Sequence, residues 1–479
     1  MTTAIVLFTR DLRVHDHPAL VAACARADRV YPLFVFDEAI LAGRYAAPNR
    51  LSQLVDAVAD LRDTLEARGG RLLVRRGDPM EVVRSLAVEV AADEVHLSAD
   101  VSRFARRREA ALRAMARDEL SGRLAVHTHD GVTVHPAGAV TPTGGDHFKV
   151  FTPYWRRWDA EPHRQPLAPP TRVPTPAATA HGGPTAGATA GSSDRPTGGP
   201  EDGRIPALGE LTDVAHLAPD LPRGGEVAAR ERAAWWFAGP VGTYDDSRDQ
   251  LAADGTARLS HHLHLGTISA TELAAGVDRA EPGQEAFLRQ LCWRDFNHQL
   301  LAARGGLVES DLRPRGDRWR DDEEAIAAWK DGRTGYPVVD AGMRQLRREG
   351  WMHNRARMIV ASFLTKHLYV DWRVGAWHFM DHLVDGDLAN NFAQWQWAAG
   401  TGMDSRPNRM FNPVVQSRRF DADGAYIRRY VPELAEVDDA QLHAPWEADG
   451  TLLGVDTGYP PPLVDHREAR ARFLEARGA

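Results

Sequence analysis

The residues best suited to chemistry fall in one stretch, Asp385-Gly-Asp387-Leu-Ala-Asn-Asn391-Phe-Ala-Gln-Trp395-Gln-Trp397. Read as a helix entered from the Asp-Gly-Asp turn, it sets Asp387, Asn391 and Trp395 four residues apart and so on one face. Trp397 lies roughly 200° further round and serves another surface. A carboxylate, an amide and an indole on one stripe are unusual for a plain core helix. The plainer alternative makes Asp385 or Asp387 an N-cap and the tryptophans packing. Upstream, Tyr244 and Arg248 precede Gly255-Thr256-Ala257-Arg258-Leu259-Ser260. Hydroxyls and backbone amides just ahead of a helix suit a phosphate or pyrophosphate, although Thr and Ser at such a place are more often caps.

Two kinds of segment must position these residues. The first part alternates β-branched runs (4–8, 30–36, 71–75, 94–97 and 124–128) with amphipathic helical stretches (18–27, 49–68, 79–90 and 103–118). That order predicts a doubly wound α/β domain with a mainly parallel, Rossmann-like sheet over residues 1–158. Its ligand-side loops, Thr9–Arg13, Phe36–Glu38 and Arg76–Pro79, hold neither a dinucleotide fingerprint nor a P-loop. The Arg103–Arg108 run reads as a solvated helix face. Residues 159–225 turn to Pro, Gly, Ala, Thr and Ser, which predicts a long interdomain connection, at least partly disordered. From 226 to 479 strand signals stop, helical periodicity dominates, and nearly all the tryptophans occur, so the second domain is expected to be all-α.

Composition narrows the class. Of 479 residues 43% are hydrophobic and 26% charged, as in a soluble globular protein. No apolar run approaches the roughly 18 residues of a spanning helix. The N-terminus reads as a buried strand rather than a signal peptide. Two cysteines, Cys24 and Cys292, exclude a disulfide framework and a four-cysteine metal site, and point to a reducing, cytoplasmic setting. The formal charge of −8 speaks weakly against a nucleic-acid partner. Between Ala341 and Tyr430, however, about thirteen Lys/Arg stand against about eight Asp/Glu, a local basic excess. Thirteen tryptophans need a reason.

Three further motifs complete the pattern: Gln290-Leu-Cys-Trp293-Arg294-Asp295-Phe296, Gly335-Tyr-Pro-Val-Val-Asp340-Ala-Gly-Met-Arg344 and Gly350-Trp-Met-His353-Asn354-Arg355-Ala-Arg357-Met358. In this order, and with Phe8-Thr-Arg-Asp-Leu-Arg13 and the Asp-Gly-Asp…Trp-Gln-Trp segment, the sequence resembles the DNA photolyase/cryptochrome family. The nearest branch is the class I microbial cyclobutane pyrimidine dimer photolyases. The likeness runs almost end to end and skips only the connection.

The resemblance implies a helical domain that holds FAD folded in a U shape. The family's phosphate-side positions match Tyr244, Thr256, Leu259, Ser260 and Arg294, with Ala257 and Arg258 beside them, and Phe287 falls beside the flavin site. The positions near the flavin ring match Asn354, Arg357, Asp385, Gly386, Asp387 and Asn391. Trp395, Trp372 and Trp319 match the three-indole chain that carries electrons from the surface to photoexcited FAD. Trp293 and Trp397 match the walls of a lesion pocket, with Gln290, Asn354, Arg355 and Met358 around it. The implied reaction is light-driven electron transfer from reduced FAD to a flipped-out cyclobutane dimer in UV-damaged DNA, with the electron returned afterwards. It needs no general base, nucleophile or metal; His261, His262 and His264 have metal-like spacing, yet no nearby Cys or carboxylate completes a site, and they read as packing or surface groups.

Some positions depart from the family's pattern. Gln290 stands where cyclobutane-specific members usually carry Glu, Ala257 replaces a common Ser, Phe287 a common Trp, and His261-His262 a frequent Pro-Tyr. Gln290 leaves a (6-4) photolyase or a cryptochrome-type blue-light receptor as alternatives. The Met352-His353-Asn354…Met358 pattern argues against the first, and the short charged tail after Trp446 against the second. The α/β domain would hold an antenna, an 8-hydroxy-deazaflavin or a methenyltetrahydrofolate, near Arg10, Phe36, Asp37 and Arg50. A monomer with no obligate protein partner and no membrane association is expected.

Overall fold

The computed structural model describes residues 1–176, 203–447 and 458–478. Its first half is a five-stranded parallel sheet built from β1 (Thr3–Phe8), β2 (Arg29–Asp37), β3 (Leu73–Gly77), β4 (Glu94–Ser98) and β5 (Ala125–His129), in the order β3-β2-β1-β4-β5. Every pairing is parallel. The strands are joined through α1 (Pro18–Arg26), α2 (Glu38–Leu41), α3 (Pro48–Glu66), α4 (Pro79–Glu89) and α5 (Arg103–Asp118). Strand alternation sorts the core: Ala4, Val6 and Phe8 pack with Leu20, Leu51 and Leu61 of α1 and α3, while Ile5, Leu7, Val95 and Leu97 pack with Val83 and Leu112 of α4 and α5. Pro at the first helical position of α1, α3 and α4 fixes where each begins.

α6 (Phe151–Ala160) was not expected from the sequence. Its Phe151, Tyr154, Trp155 and Trp158 share one core with Trp236, Phe287 and Phe296 of the helical half. Residues from Val134 onward therefore pack with the second domain, and the compositional boundary at 158 is not a packing boundary. The described parts of the 159–225 connection, including α7 (Leu208–Leu211), return to the sheet. Val173 and Leu211 are buried in the α1–α3 core, and the Val30 amide donates to the Pro174 carbonyl. These parts are docked rather than free; residues 177–202 lie outside the described residues.

The helical half runs through α8 (Glu226–Phe237), α9 (Tyr244–Ser247), α10 (Ser260–Leu265), α11 (Ala270–Ala275) and α12 (Pro282–Ala303). It continues through α13 (Glu323–Asp331), α14 (Pro337–Glu349), α15 (Asn354–Ser362), α16 (Trp372–His382) and α17 (Leu388–Ala399). After them come α18 (Pro413–Phe420), α19 (Ala425–Tyr430), α20 (Asp439–Leu442) and α21 (His466–Ala476). No helix among the described residues is long and apolar enough to cross a membrane. α15 passes into a π-helical turn, Phe363–His367, rather than ending cleanly. α21 is more than a charged tail: its Phe473 is 1% exposed, and Arg477 reaches Asp317 at 2.5 Å.

The Gly335–Arg344 motif is architectural. Asp340 accepts from the Thr334 amide at 2.7 Å, the Thr334 hydroxyl at 2.6 Å and the Gly335 amide at 3.1 Å. Gly335 takes φ +76° against the Pro461 carbonyl, so any side chain there would clash.

Candidate active site

α17 is held from its first residue by Asp387, whose Oδ1 accepts from the Asn390 amide at 2.9 Å. The N-cap role leaves Oδ2 to a donor from another segment. Arg10, on the loop after β1, donates to Oδ2 at 2.7 Å and also meets Asp100 at 3.2 Å. His298 of α12 stands 3.7 Å away. Burial pushes the Asp387 carboxyl up, but His298, Arg10 and Arg294 together hold it well below the usual carboxylate range. The sheet domain thus supplies a cation to the N-terminus of the helix that carries the polar stripe.

Asp385 is paired separately. Arg357 Nη2 donates to its two oxygens at 2.8 and 3.1 Å, and Arg357 Nε donates to the Met352 carbonyl at 2.8 Å. Burial opposes ionisation of Asp385, yet Arg357 and the Ser260 hydroxyl hold its carboxyl below the ordinary value. Ser260, at the start of α10, is in this way brought to the Asp385–Arg357 pair. Gly386 between the two aspartates has no room for a side chain: a Cβ would stand 2.6 Å from Arg50 Nη1. Arg50 lies on α3 rather than on a loop, and donates to the carbonyls of Met380, Leu383 (2.9 Å) and Tyr45 (2.7 Å). Phe36 is a core residue and Asp37 caps α2, so the four residues expected near an antenna are all engaged in protein contacts.

The loop ahead of α10 is clamped from behind. Arg232 donates to the carbonyls of Thr256 and Ala257, both at 2.9 Å, and pairs with Asp254 at 3.0 Å. Arg258 adopts φ +49°, stacks 4.3 Å from the Trp351 ring centroid and pairs with Glu349 at 3.1 Å. Leu259 and Phe287 are buried, with Phe287 edge-on to Trp236 and Tyr244. Arg294 is 8% exposed, and among the described residues its guanidinium donates only to the carbonyls of Val132 (2.6 Å) and Leu263 (3.1 Å). Buried without a bonded carboxylate, it suits an anionic group.

The residues expected to line a lesion pocket differ in their surroundings. Trp293 stacks flat on Phe151, 3.7 Å between centroids with 5° between planes, so one indole face is already covered. Trp397 has Arg409 5.7 Å from its ring centroid and is half-buried. Gln290 is half-buried, and its side chain hydrogen-bonds to none of the described residues. Asn354 is exposed, with Met358 one turn on, 4.0 Å from Nδ2 to sulfur. Arg355 turns elsewhere: it pairs with Asp249 at 2.7 Å and stacks on Phe420 at 4.4 Å. The side-chain amide of Asn391 donates to the Ala376 carbonyl at 2.9 Å, which leaves its oxygen unpaired among the described residues.

The three indoles differ in burial. Trp319 is half-buried and lies 5.1 Å from the Tyr369 ring. Trp372, three residues beyond Tyr369, is fully buried and donates from Nε1 to Asp311 at 2.9 Å. Trp395 sits over Gly375, one turn further along α16, edge-on to Phe379 at 5.0 Å. Another buried indole, Trp329, which the sequence alone does not single out, lies edge-on to Trp395 at 6.0 Å.

Comparison with known proteins decides the family. The deoxyribodipyrimidine photo-lyase of Streptomyces griseus is 52% identical over 482 residues, covering 100% of both chains. This chain belongs to the DNA photolyase family. Within it, the family model described as DNA photolyase matches residues 4–176, and the one described as FAD binding domain of DNA photolyase matches 287–479. Two solved photolyases superpose over the whole chain. A bacterial class III photolyase from Agrobacterium tumefaciens is 34% identical with a TM-score of 0.87, covering 100% of this chain and 97% of that one. An archaeal photolyase from Sulfolobus tokodaii, with two FAD molecules, is 28% identical with a TM-score of 0.83, covering 100% of both chains.

The photolyase cofactor fits the residues present. Among the described residues Arg294 has no bonded carboxylate, and the Asn391 side-chain oxygen has no donor. Burial lowers His261 to about 4, so near neutral pH it is an uncharged ring facing the Asp385 side of the site. Sequence reasoning missed Arg10 and His298 as members of this site. The first lay in a loop noted only for an antenna, and the second in the same α12 as Gln290, Trp293 and Arg294, one turn beyond Arg294.

Proposed function

We propose that this photolyase family member is a deoxyribodipyrimidine photo-lyase, a carbon–carbon lyase that uses light to repair cyclobutane pyrimidine dimers in DNA. The observation that carries the reading is the joining of two chemistries at α17: an ion-paired, buried polar wall at its N-terminus and a buried indole seated on α16 near its C-terminus. Reduced FAD, when bound, supplies on illumination the electron that splits the dimer's cyclobutane ring, and the electron returns afterwards.

The chain's own residues do the rest. Arg294, Thr256 and Ser260 hold the phosphate side, with Tyr244 and Phe287 packed behind. Arg357 and Asp385 place a charge pair beside the flavin ring, so that neither charge is buried alone. Asn391 offers an amide oxygen that cannot titrate, so it tunes a neighbouring flavin nitrogen without competing for its proton. Trp319, Trp372 and Trp395 carry electrons inward from the surface to reduce the resting cofactor. Trp293 and Trp397 present flat apolar faces to an extruded lesion that has lost its stacking partners, with Gln290, Asn354 and Met358 at its edges. Arg355, held by Asp249, acts by fixing the start of α15.

An antenna pigment bound by the sheet domain, an 8-hydroxy-deazaflavin or a methenyltetrahydrofolate, extends the absorbed spectrum. The second FAD in the Sulfolobus tokodaii photolyase makes a flavin a third chemistry for that place. We further assign the chain to the cytoplasm, as a monomer that binds UV-damaged DNA without an obligate protein partner. Illumination of the reduced holoprotein with an oligonucleotide carrying one thymine cyclobutane dimer tests the function. Loss of the dimer is expected. Flavin photoreduction with unchanged DNA would favour a cryptochrome-type receptor instead, and repair of a (6-4) product in place of the dimer would favour that specificity.

A further inference from the structure

A group of side chains unrelated to the flavin site lies on the sheet face beside the end of α1. β4 and β5 run parallel with His96 opposite His127 and Ser98 opposite His129. Alternation places Glu94 and His96 of β4 and His127 and His129 of β5 on one face. The neighbouring β1 presents Ala4, Val6 and Phe8 to the helices on this side, so apolar packing gives way here to one carboxylate and three imidazoles. His96 Nε2 lies 2.9 Å from Glu94 Oε2, and His127 Nε2 lies 3.8 Å from Glu94 Oε1. The three ligand atoms fall within 4.8 Å of one another.

Within this group one buried ring nitrogen is left without a partner among the described residues. His96 Nδ1 meets His129 Nε2 at 3.0 Å, so a proton on His129 Nε2 given to His96 and one on His96 Nε2 given to Glu94 satisfy that line. His127 Nε2 is buried, faces the Glu94 carboxylate and has no hydrogen-bond partner. A metal ion between Glu94 and the two imidazoles would engage that nitrogen. His96 would then turn its proton to Nδ1 and donate it to His129, the outer contact that usually fixes a ligating histidine. Arg26 is the competing group: it donates to Glu94 at 2.7 Å, but its side chain is 56% exposed and free to withdraw.

We propose that Glu94, His96 and His127 form a binding site for a divalent transition cation, zinc by its ligand set, with His129 as the outer hydrogen-bond partner. Two imidazoles, one carboxylate and an open fourth position for water match the ligand chemistry of zinc. The site lies toward the N-terminal ends of β4 and β5, whereas Arg10 and Asp100 meet Asp387 beyond the C-terminal ends of β1 and β4. Its role is therefore to tie the edge strand β5 to β4 rather than to take part in repair.

The test uses holoprotein stripped with a chelator and titrated with ZnCl2 against a chromophoric competitor. One zinc per chain is expected, with an affinity at least tenfold weaker in His127→Ala. CoCl2 should give the visible absorption of a four-coordinate site in the wild type only, and zinc should raise the Tm of the wild type but not of the variant. His127 is partly exposed at an edge strand, so the variant should fold; its flavin absorbance and metal-free Tm check this. Equal zinc uptake by the wild type and His127→Ala, or none by either, overturns the proposal.

Discussion

Gly375→Ala is the sharpest probe of the indole arrangement. A Cβ built at this position would stand 2.1 Å from Trp395 Cη2, 2.4 Å from Cζ3 and 2.7 Å from Leu364 Cδ2. Carbon atoms in contact prefer about 3.5–4.0 Å, so the ring would have to retreat by about 1.5 Å. It has little space to do so, with Phe379 edge-on at 5.0 Å and Trp329 at 6.0 Å. Overpacking of this kind costs about 1–3 kcal/mol. A cost of about 2 kcal/mol lowers Tm by on the order of 4–8 °C for a domain of this size. The same displacement moves Trp395 relative to Trp372 and so slows electron passage between them. Two measurements check this: thermal unfolding of the holoprotein, and the rate of flavin photoreduction with an external thiol as donor. Both should fall, while dimer repair by chemically pre-reduced protein is largely kept. An unchanged Tm with unchanged photoreduction would refute the seating of Trp395 on α16.

Three other outcomes are expected. Trp395→Phe should block photoreduction of oxidised FAD yet leave repair by pre-reduced protein largely intact; equal loss of both would show that the indole has another role. Asp385→Asn strands the Arg357 cation, whose side chain is 25% exposed, and should cost about 3 kcal/mol in denaturant unfolding at pH 7. Because the folded pKa of Asp385 is depressed, its contribution is full above the ordinary carboxylate value and is lost as pH falls through the folded one, so the gap to wild type should close below about pH 4. His261, lowered to about 4 by burial, binds its proton more readily when unfolded, so it withdraws stability as pH falls from 6.5 toward 4. By pH 5 this amounts to about 2 kcal/mol, and His261→Gln should flatten the fall in stability between pH 7 and pH 5 by that amount; parallel curves for the two proteins would rule this out.

Much of the framework was legible because its periodicities are strong. All five strands and α1, α3, α4 and α5 lie where β-branched runs and amphipathic stretches placed them, with ends shifted by one or two residues. α6 was missed because Phe-Thr-Pro-Tyr-Trp-Arg-Arg-Trp lies after a glycine-rich segment and just before the change in composition, and its apolar face is completed by distant helices. Asp387, Asn391 and Trp395 were read as one stripe, and each is drawn in from that face: Asp387 to Arg10, Asn391 to α16, Trp395 to Gly375. What spacing within one helix cannot carry is the partner on another segment. Arg10 lies 377 residues before Asp387, and Arg355 was grouped with its neighbours on α15 although Asp249 claims it. Glu94, His96, His127 and His129 read in sequence as ordinary strand residues, and only the pairing of β4 with β5 sets them side by side.

The reach of Arg10 into the helical half bears on how such proteins exchange modules. The buried carboxylate that starts α17 depends on a cation encoded in the first loop of the chain. A chimera that took its sheet domain from one relative and its helical domain from another would inherit the junction as well as the two cores. Where the donated loop lacked an arginine of the same reach, the helix would begin on a buried carboxylate left to Arg294 and His298, however well each half folded. An exchange of sheet domains between relatives thus has to keep the loop that carries Arg10 with the helical domain it reaches.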